Sequence, residues 1–329
     1  MLQRDFAFVR VKWPHAGRLQ QLARQHAIEY MWFLSSDCHF LDMPYMAVVW
    51  DLQHRTLPWF PEVTANGEFD AREASNGWFL RRASAVVTGT RVGAAELERY
   101  YQITPDCVKI LPHPTPAYAL AAASEPADEE SAARIRRAYR IGADYLVYPA
   151  QFWAHKNHAN LLHALAILHG ELKRPIDLVM VGSDKGNRAY CESLAAKLGL
   201  SGTCHFLGFI PREDLVELYR AAVALVYPSF GGPENLPPLE AFALGCPVLA
   251  ADVPGAREQL GECAEFIDPR SPAQIAAAID AVCGDADARA AMIARGKVRA
   301  CGWTGRDFIK GVFSVLDEFE PVRRAWGLE

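Results

Sequence analysis

The sequence predicts an α/β protein of two doubly wound domains. Three observations predict it. From residue 145 onward, short apolar runs alternate with stretches of helical periodicity. The runs are continuous, as strands of a parallel sheet covered by helices must be, because each strand then buries both of its faces. The chain of 329 residues exceeds what a single core of ordinary size needs and accommodates two.

Taken in order, the first half is the less regular. Candidate strands lie at 30–34, 45–50, 85–88 and 108–111, with helical periodicity at 18–26, 72–81 and 92–101. Pro112, Pro114 and Pro116 then punctuate the chain ahead of an Ala-rich stretch. The polar segment Ser124-Glu125-Pro126-Ala127-Asp128-Glu129-Glu130 follows and suits an exposed linker or a helix start. The boundary is placed near residue 120, giving an N-terminal domain over 1–120 and a second over 121–305. Strands of the second are expected at 145–150, 177–182, 204–209, 224–229, 247–252 and 264–268. Its helices are expected at 157–172, 188–198, 212–222, 239–244 and 272–282. Within 306–329, Phe308, Val312, Val315, Leu316 and Phe319 share one side of a long helix, which is expected to pack back on the N-terminal domain.

Composition narrows the function. Hydrophobic residues make up 51% and charged residues 22%, a globular balance with little room for extended disorder. The net charge of −5 and the lack of any dense Lys/Arg run argue against nucleic acid as a partner. The eight cysteines stand singly, with no C-x-x-C and no paired-His spacing suited to zinc, so no metal is expected and the thiols read as reduced. Arg4, Asp5, Arg10, Lys12 and His15 interrupt the first seventeen residues, which leaves no apolar stretch of signal or membrane-span length. A cytoplasmic protein is expected, with peripheral contact at the inner face of a membrane left open.

The chemistry concentrates in two segments. Tyr227-Pro228-Ser229-Phe230-Gly231-Gly232-Pro233-Glu234-Asn235-Leu236-Pro237-Pro238-Leu239-Glu240 runs from a strand end through a Gly/Pro loop into a helix. Ligands of open α/β sheets sit beyond the carboxyl ends of strands, so the position suits a site. Gly231 and Gly232 let backbone approach an anion, and Pro238, read as the first helical residue, leaves the helix's free N–H groups facing the loop. Glu240 then falls in the first turn, either as a dipole-favoured carboxylate or as an acceptor for two ribose hydroxyls. The second segment, Tyr148-Pro149-Ala150-Gln151-Phe152-Trp153-Ala154-His155-Lys156-Asn157-His158, places a lysine in the first turn of a helix. A cation there opposes the dipole unless a phosphate is bound.

Both segments resemble the donor site of the retaining glycosyltransferases of family 4, which have the GT-B fold of two Rossmann-like domains facing a cleft. The likeness continues through Gly245-Cys246-Pro247-Val248-Leu249-Ala250 and Gly261-Glu262-Cys263-Ala264-Glu265-Phe266-Ile267-Asp268-Pro269. It implies that Glu240 binds ribose, that Lys156 meets the donor diphosphate, and that Gly231, Gly232, Asn235 and Leu236 line the donor. Gly232 stands where the family carries a first glutamate, a GPxN form of the loop, and Glu234 is the substitute carboxylate. Gln151 stands where an arginine is usual, with His155 and His158 as candidate helpers. Gly182, in a tight turn after a strand, and Phe209 with Ile210, in the segment that resembles the one along the nucleotide base, complete the donor candidates.

In the first half, Val48-Val49-Trp50-Asp51-Leu52-Gln53-His54-Arg55-Thr56-Leu57-Pro58-Trp59-Phe60-Pro61-Glu62 resembles the family's H-D-L-x-H segment, with Trp50 in place of its first histidine. His54 is therefore the candidate to reach the donor sugar, and Asp51, Trp59 and Thr88 are the acceptor-side candidates. No Gly-rich loop precedes Tyr30, which marks the N-terminal domain as shortened or the chain as part of something longer. The resemblance implies a retaining, metal-independent transfer from a nucleoside-diphosphate sugar to a saccharide or lipid-linked saccharide, in cell-surface polysaccharide assembly, with no cofactor beyond the donor. Two other readings stay open: a catalytically weak nucleotide-sugar-binding module or subunit, and a sugar-nucleotide epimerase.

Overall fold

The computed structural model describes residues 16–34, 42–126 and 128–325; most of the first seventeen residues and Cys38 lie outside them. Two wholly parallel sheets form. The first has strands β1 (Met31–Trp32), β2 (Tyr45–Val48), β3 (Ala85–Thr88) and β4 (Val108–Ile110), paired in simple sequence order. The second has β5 (Tyr145–Pro149), β6 (Asp177–Val181), β7 (Cys204–Gly208), β8 (Ala224–Tyr227), β9 (Val248–Ala251) and β10 (Glu265–Ile267) in the order β10-β9-β8-β5-β6-β7. Every residue of β5, β8 and β9 is buried, which explains why these strands read as unbroken apolar runs. Fully burying one such valine or leucine is worth about 1.5–3 kcal/mol.

The order of the second sheet reverses between β5 and β8, so the chain leaves these two neighbours in opposite directions and opens a crevice at their carboxyl ends. Among the described residues, the first sheet has no such reversal.

The boundary lies earlier than residue 120. The helix Ala117–Ala123 packs on Leu236–Leu244, and Glu129–Tyr139 packs on Arg212–Ala221, so both belong with the second sheet. Asp128 caps the latter, accepting from the amides of Glu130 and Ser131 at 3.1 and 3.2 Å. The described residues of the polar segment 124–130 are exposed, and they lead into the helix start at Asp128.

Among the described residues, the chain passes between the domains twice, at residues 112–116 and 302–304. Trp303 Nε1 donates to the Pro112 carbonyl at 2.8 Å, and the Thr115 amide donates to the Trp303 carbonyl. The last helix, Gly305–Arg323, opens with a Thr304/Asp307 capping box. Its Val312 and Val315 are buried against Met46, Ala85 and Val87, so it covers one face of the first sheet.

Candidate functional site

The loop after β5 carries Lys156 to the crevice. It forms a single 3-10 turn, Ala154–Lys156, and the chain then passes through Asn157 at φ 60° into the helix His158–Gly170. Lys156 thus precedes the helix and is not in its first turn, because Asn157 takes the left-handed conformation that breaks the two apart. The Asn157 amide is buried and donates to the carbonyls of Pro228 (2.9 Å) and Pro269 (2.7 Å), fastening three strand ends together. Lys156 Nζ lies 3.1 Å from the Tyr227 hydroxyl and 3.2 Å from Asn235 Oδ1, so β5 and β8 converge on one ammonium. His158 is no helper. It is fully buried and stacked on Phe152 at 4.4 Å, and burial pushes its pKa down to about 3.

The loop after β8 differs from its sequence reading in register. Asn235 is the N-cap and the helix spans Leu236–Leu244, so Pro237 and Pro238 are its second and third residues. Both lack an N–H, and the Asn235 amide is taken by Gln259 Oε1 at 2.9 Å, which leaves Leu236 as the first-turn residue able to offer an amide. The expected row of free amides is absent. Gly232 has φ +101°, and an added Cβ would lie 2.9 Å from Asn235 Oδ1. At Gly231 an added Cβ would lie 2.7 Å from Leu57 Cδ1 and 2.9 Å from Gln53 Nε2. The close approach at Gly231 is therefore to the other domain.

Glu240 is the fifth helical residue, beyond the first turn. Its Oε2 accepts from the buried Tyr219 hydroxyl at 2.7 Å, and Tyr118 also bonds it. Arg212 stacks over Tyr118 at 4.9 Å and follows Phe209, Ile210 and Pro211 directly, so contacts link Glu240 to that segment. Phe209 is 93% exposed while Ile210 is buried, an arrangement that offers one aromatic face for stacking. Gly182 is fixed by packing: an added Cβ would lie 2.2 Å from the Ala150 carbonyl oxygen. The exposed Gln151 accepts from Trp153 Nε1 at 2.8 Å, and Lys185 lies over that indole at 5.4 Å. Lys185 brings a cation to the corner where Gln151 has none, which the sequence segment did not single out.

Across the cleft, His54 must be corrected. Asp51 Oδ1 accepts from the Gln53 amide at 3.0 Å and starts the short helix Gln53–Thr56. Gln53 and Leu57, four residues apart and so on one face, look toward Gly231, while His54 turns into its own domain. Its ring is fully buried, with Nε2 2.7 Å from the Tyr101 hydroxyl and 2.9 Å from Glu73 Oε1, and burial lowers its pKa. It presents nothing to the cleft. Asp51 is committed to its turn and lies 3.5 Å from Arg72, and Trp59 is 70% exposed. Thr88 is buried at the end of β3, on the wall of a recess of about 220 Å³. Trp32, Phe33 and Trp50 form the recess's aromatic side.

Glu234 closes that recess from the other domain. Its carboxylate lies over Gly89, leaving no space for a side chain there, and Oε1 accepts from the His113 amide at 2.7 Å. It also borders a second recess of about 480 Å³ around Thr90, Leu239 and Trp303. A third, of about 360 Å³ around Asp144, Ile176 and Val223, lies at the amino ends of β5, β6 and β8, away from Lys156.

Burial, with Glu258 nearby adding to it, raises the Glu234 carboxyl from 4.5 to about 7. The folded state thus keeps a proton that the unfolded chain releases between these values, and the stability this lends is present below pH 4.5 and lost as pH rises through 7. Glu234→Gln keeps an acceptor oxygen for His113 and cannot ionise. It should match the parent near pH 4.5 and exceed it by about 1–3 kcal/mol at pH 8 in thermal or urea unfolding. A difference independent of pH would contradict this.

Among the described residues, no three His, Cys, Asp or Glu side chains cluster as metal ligands, and no helix is long and apolar enough to cross a membrane. The sequence profile described as glycosyl transferases group 1 matches residues 132–299, just over half of the chain. A D-inositol 3-phosphate glycosyltransferase of Streptomyces scabiei is 32% identical over 192 residues, 56% of this chain and 42% of the relative. An O-antigen chain mannosyltransferase B of Escherichia coli is 32% identical over 156 residues, 47% of this chain and 41% of the relative. The chain spans about half the length of the curated relatives it matches. Among solved structures, Anabaena HepE in complex with UDP and glucose superposes with a TM-score of 0.74 at 16% identity, covering 92% of this chain and 81% of that one. The fold is GT-B.

Proposed function

Because the chain belongs to the glycosyl transferases group 1, we propose that it moves a sugar, with retention and without a metal ion, from a nucleoside-diphosphate sugar to an acceptor hydroxyl. The observation that carries this reading is Lys156 at the switch point between β5 and β8, tied to Asn235 of the opposing loop. An ammonium fixed at that place meets the charge that grows on the departing diphosphate. Glu240 takes the ribose, and Phe209 stacks on the base. No protein nucleophile is needed when the departing phosphate assists the acceptor hydroxyl on the same face. No cofactor beyond the donor takes part.

The acceptor enters from the N-terminal domain, where aromatic faces and the Glu234 carboxyl border one recess, a pairing suited to a sugar's apolar face and hydroxyl rim. The name of the Escherichia coli relative, an O-antigen chain mannosyltransferase, supports a saccharide or lipid-linked saccharide acceptor in cell-surface polysaccharide assembly. The Anabaena complex makes UDP-glucose the first donor to test.

A weak or purely binding module is the second reading. It is favoured by Gly232 and Gln151, which supply no charge, and by His54, which is turned away from the cleft. Incubation of the protein with UDP-glucose and GDP-mannose in the absence of acceptor separates the cases. Slow release of the nucleoside diphosphate is the expected result, interconversion of sugars would indicate an epimerase, and binding without turnover would indicate the module.

A further inference from the structure

Glu62 belongs to the segment that follows the first-domain motif, yet no role above uses it. It sits in the short helix Pro61–Thr64, and its side chain is 6% exposed. One oxygen, Oε1, accepts from the His155 backbone amide at 2.8 Å and also from His155 Nδ1, both in the other domain. The Phe60 ring lies 6.2 Å from the His155 ring and 5.7 Å from Phe230, and the Glu62 and His155 side chains are both nearly out of water. A carboxylate hydrogen-bonded in so little water binds more strongly than one at the surface.

His155 is in turn a junction. Its carbonyl accepts from the Phe230 amide at 2.9 Å, so one residue is held by the N-terminal domain on its N–H and by the loop after β8 on its C=O. The next residue is Lys156, whose ammonium reaches Tyr227 and Asn235. We propose that Glu62 is a positioning residue: by gripping His155 across the cleft, it sets the Lys156 ammonium for the departing diphosphate and makes that setting depend on the two domains being together.

The inference rests on the reading that Lys156 meets the diphosphate, and the test separates the two. In the full chain, release of UDP from UDP-glucose and the binding of UDP and uridine are measured for Glu62→Ala, Glu62→Gln, Lys156→Ala and the double variant Glu62→Ala/Lys156→Ala, with thermal unfolding as the control for folding. Lost positioning acts in the transition state, so Glu62→Ala should lower kcat by about ten- to hundredfold with KM changed by less than about threefold. Glu62→Gln, which keeps an acceptor oxygen for the His155 amide, should recover most of the rate, and this variant decides if the alanine fails to fold. The double variant should be no slower than Lys156→Ala alone, because Glu62 acts through that lysine. Multiplying losses, or Glu62→Ala with an unchanged kcat, would overturn the role of Glu62 and leave that of Lys156 standing. Lys156→Ala with equal effects on UDP and uridine would remove the premise and the inference with it.

Discussion

Lys156→Ala is expected to weaken binding of a nucleoside diphosphate by about ten- to hundredfold while leaving the nucleoside's affinity nearly intact. The magnitude is that of hydrogen bonds to charged groups, about 1.5–3 kcal/mol. The structure gives a reason to expect little collateral damage. When the ammonium is removed, the Tyr227 hydroxyl still donates to Asn235 Oδ1 at 3.0 Å, and Asn235 Nδ2 still donates to the Gly232 carbonyl at 3.1 Å. The loop keeps its own ties, so thermal stability should change little. Calorimetry with UDP and uridine reads the effect, and an equal loss for both ligands would assign Lys156 to the fold.

Gly232→Glu is expected to abolish diphosphate binding, even though it restores the carboxylate that the wider family carries at this position. At φ +101° any side chain is strained, at a cost of about 1–3 kcal/mol. The new Cβ also meets Asn235, which must move and give up Lys156, Tyr227 and the Gly232 carbonyl together. Gly232→Ala separates the causes: it carries the backbone strain with no carboxylate, and should lose most of the same affinity. A folded Gly232→Glu that binds UDP as well as the parent would show that the loop has the wider family's path.

The parts of this architecture that were legible in the sequence are those whose signal is local. The strands β5, β8 and β9 are unbroken apolar runs because both faces are covered, and each strand of the second sheet falls within a residue or two of its expected limits. The crevice loops were legible because Gly, Pro, Lys and Asn cluster at strand ends. Side-chain direction was not. His54 lies in the right segment and points the wrong way, since the Asp51 turn that starts a one-turn helix is invisible without Gln53 and Leu57 meeting Gly231. Glu240 lies two residues further into its helix than the sequence reading gives, because two successive prolines look like a helix start when the cap is Asn235. The helix Ala286–Cys301 was missed; its Ala, Arg and Gly positions give a weak apolar stripe, and its Gly296 is decided by a Phe242 ring far away in sequence. Glu62 and His155 meet across 93 residues, a separation no pattern within either segment encodes.

The central claim, that the crevice between β5 and β8 is a site for the diphosphate of a nucleotide sugar, is tested most directly by titrating the unaltered protein with UDP, GDP and ADP and with their nucleosides. At one hundred times its dissociation constant, a ligand specific for the folded state adds about 2.7 kcal/mol of stability, so thermal unfolding reads the same result. One nucleoside diphosphate should bind at least about tenfold more tightly than its own nucleoside, a gap of about 1.4 kcal/mol. If no diphosphate binds, or if diphosphate and nucleoside bind alike, Lys156 and the loop after β8 do not form a phosphate site.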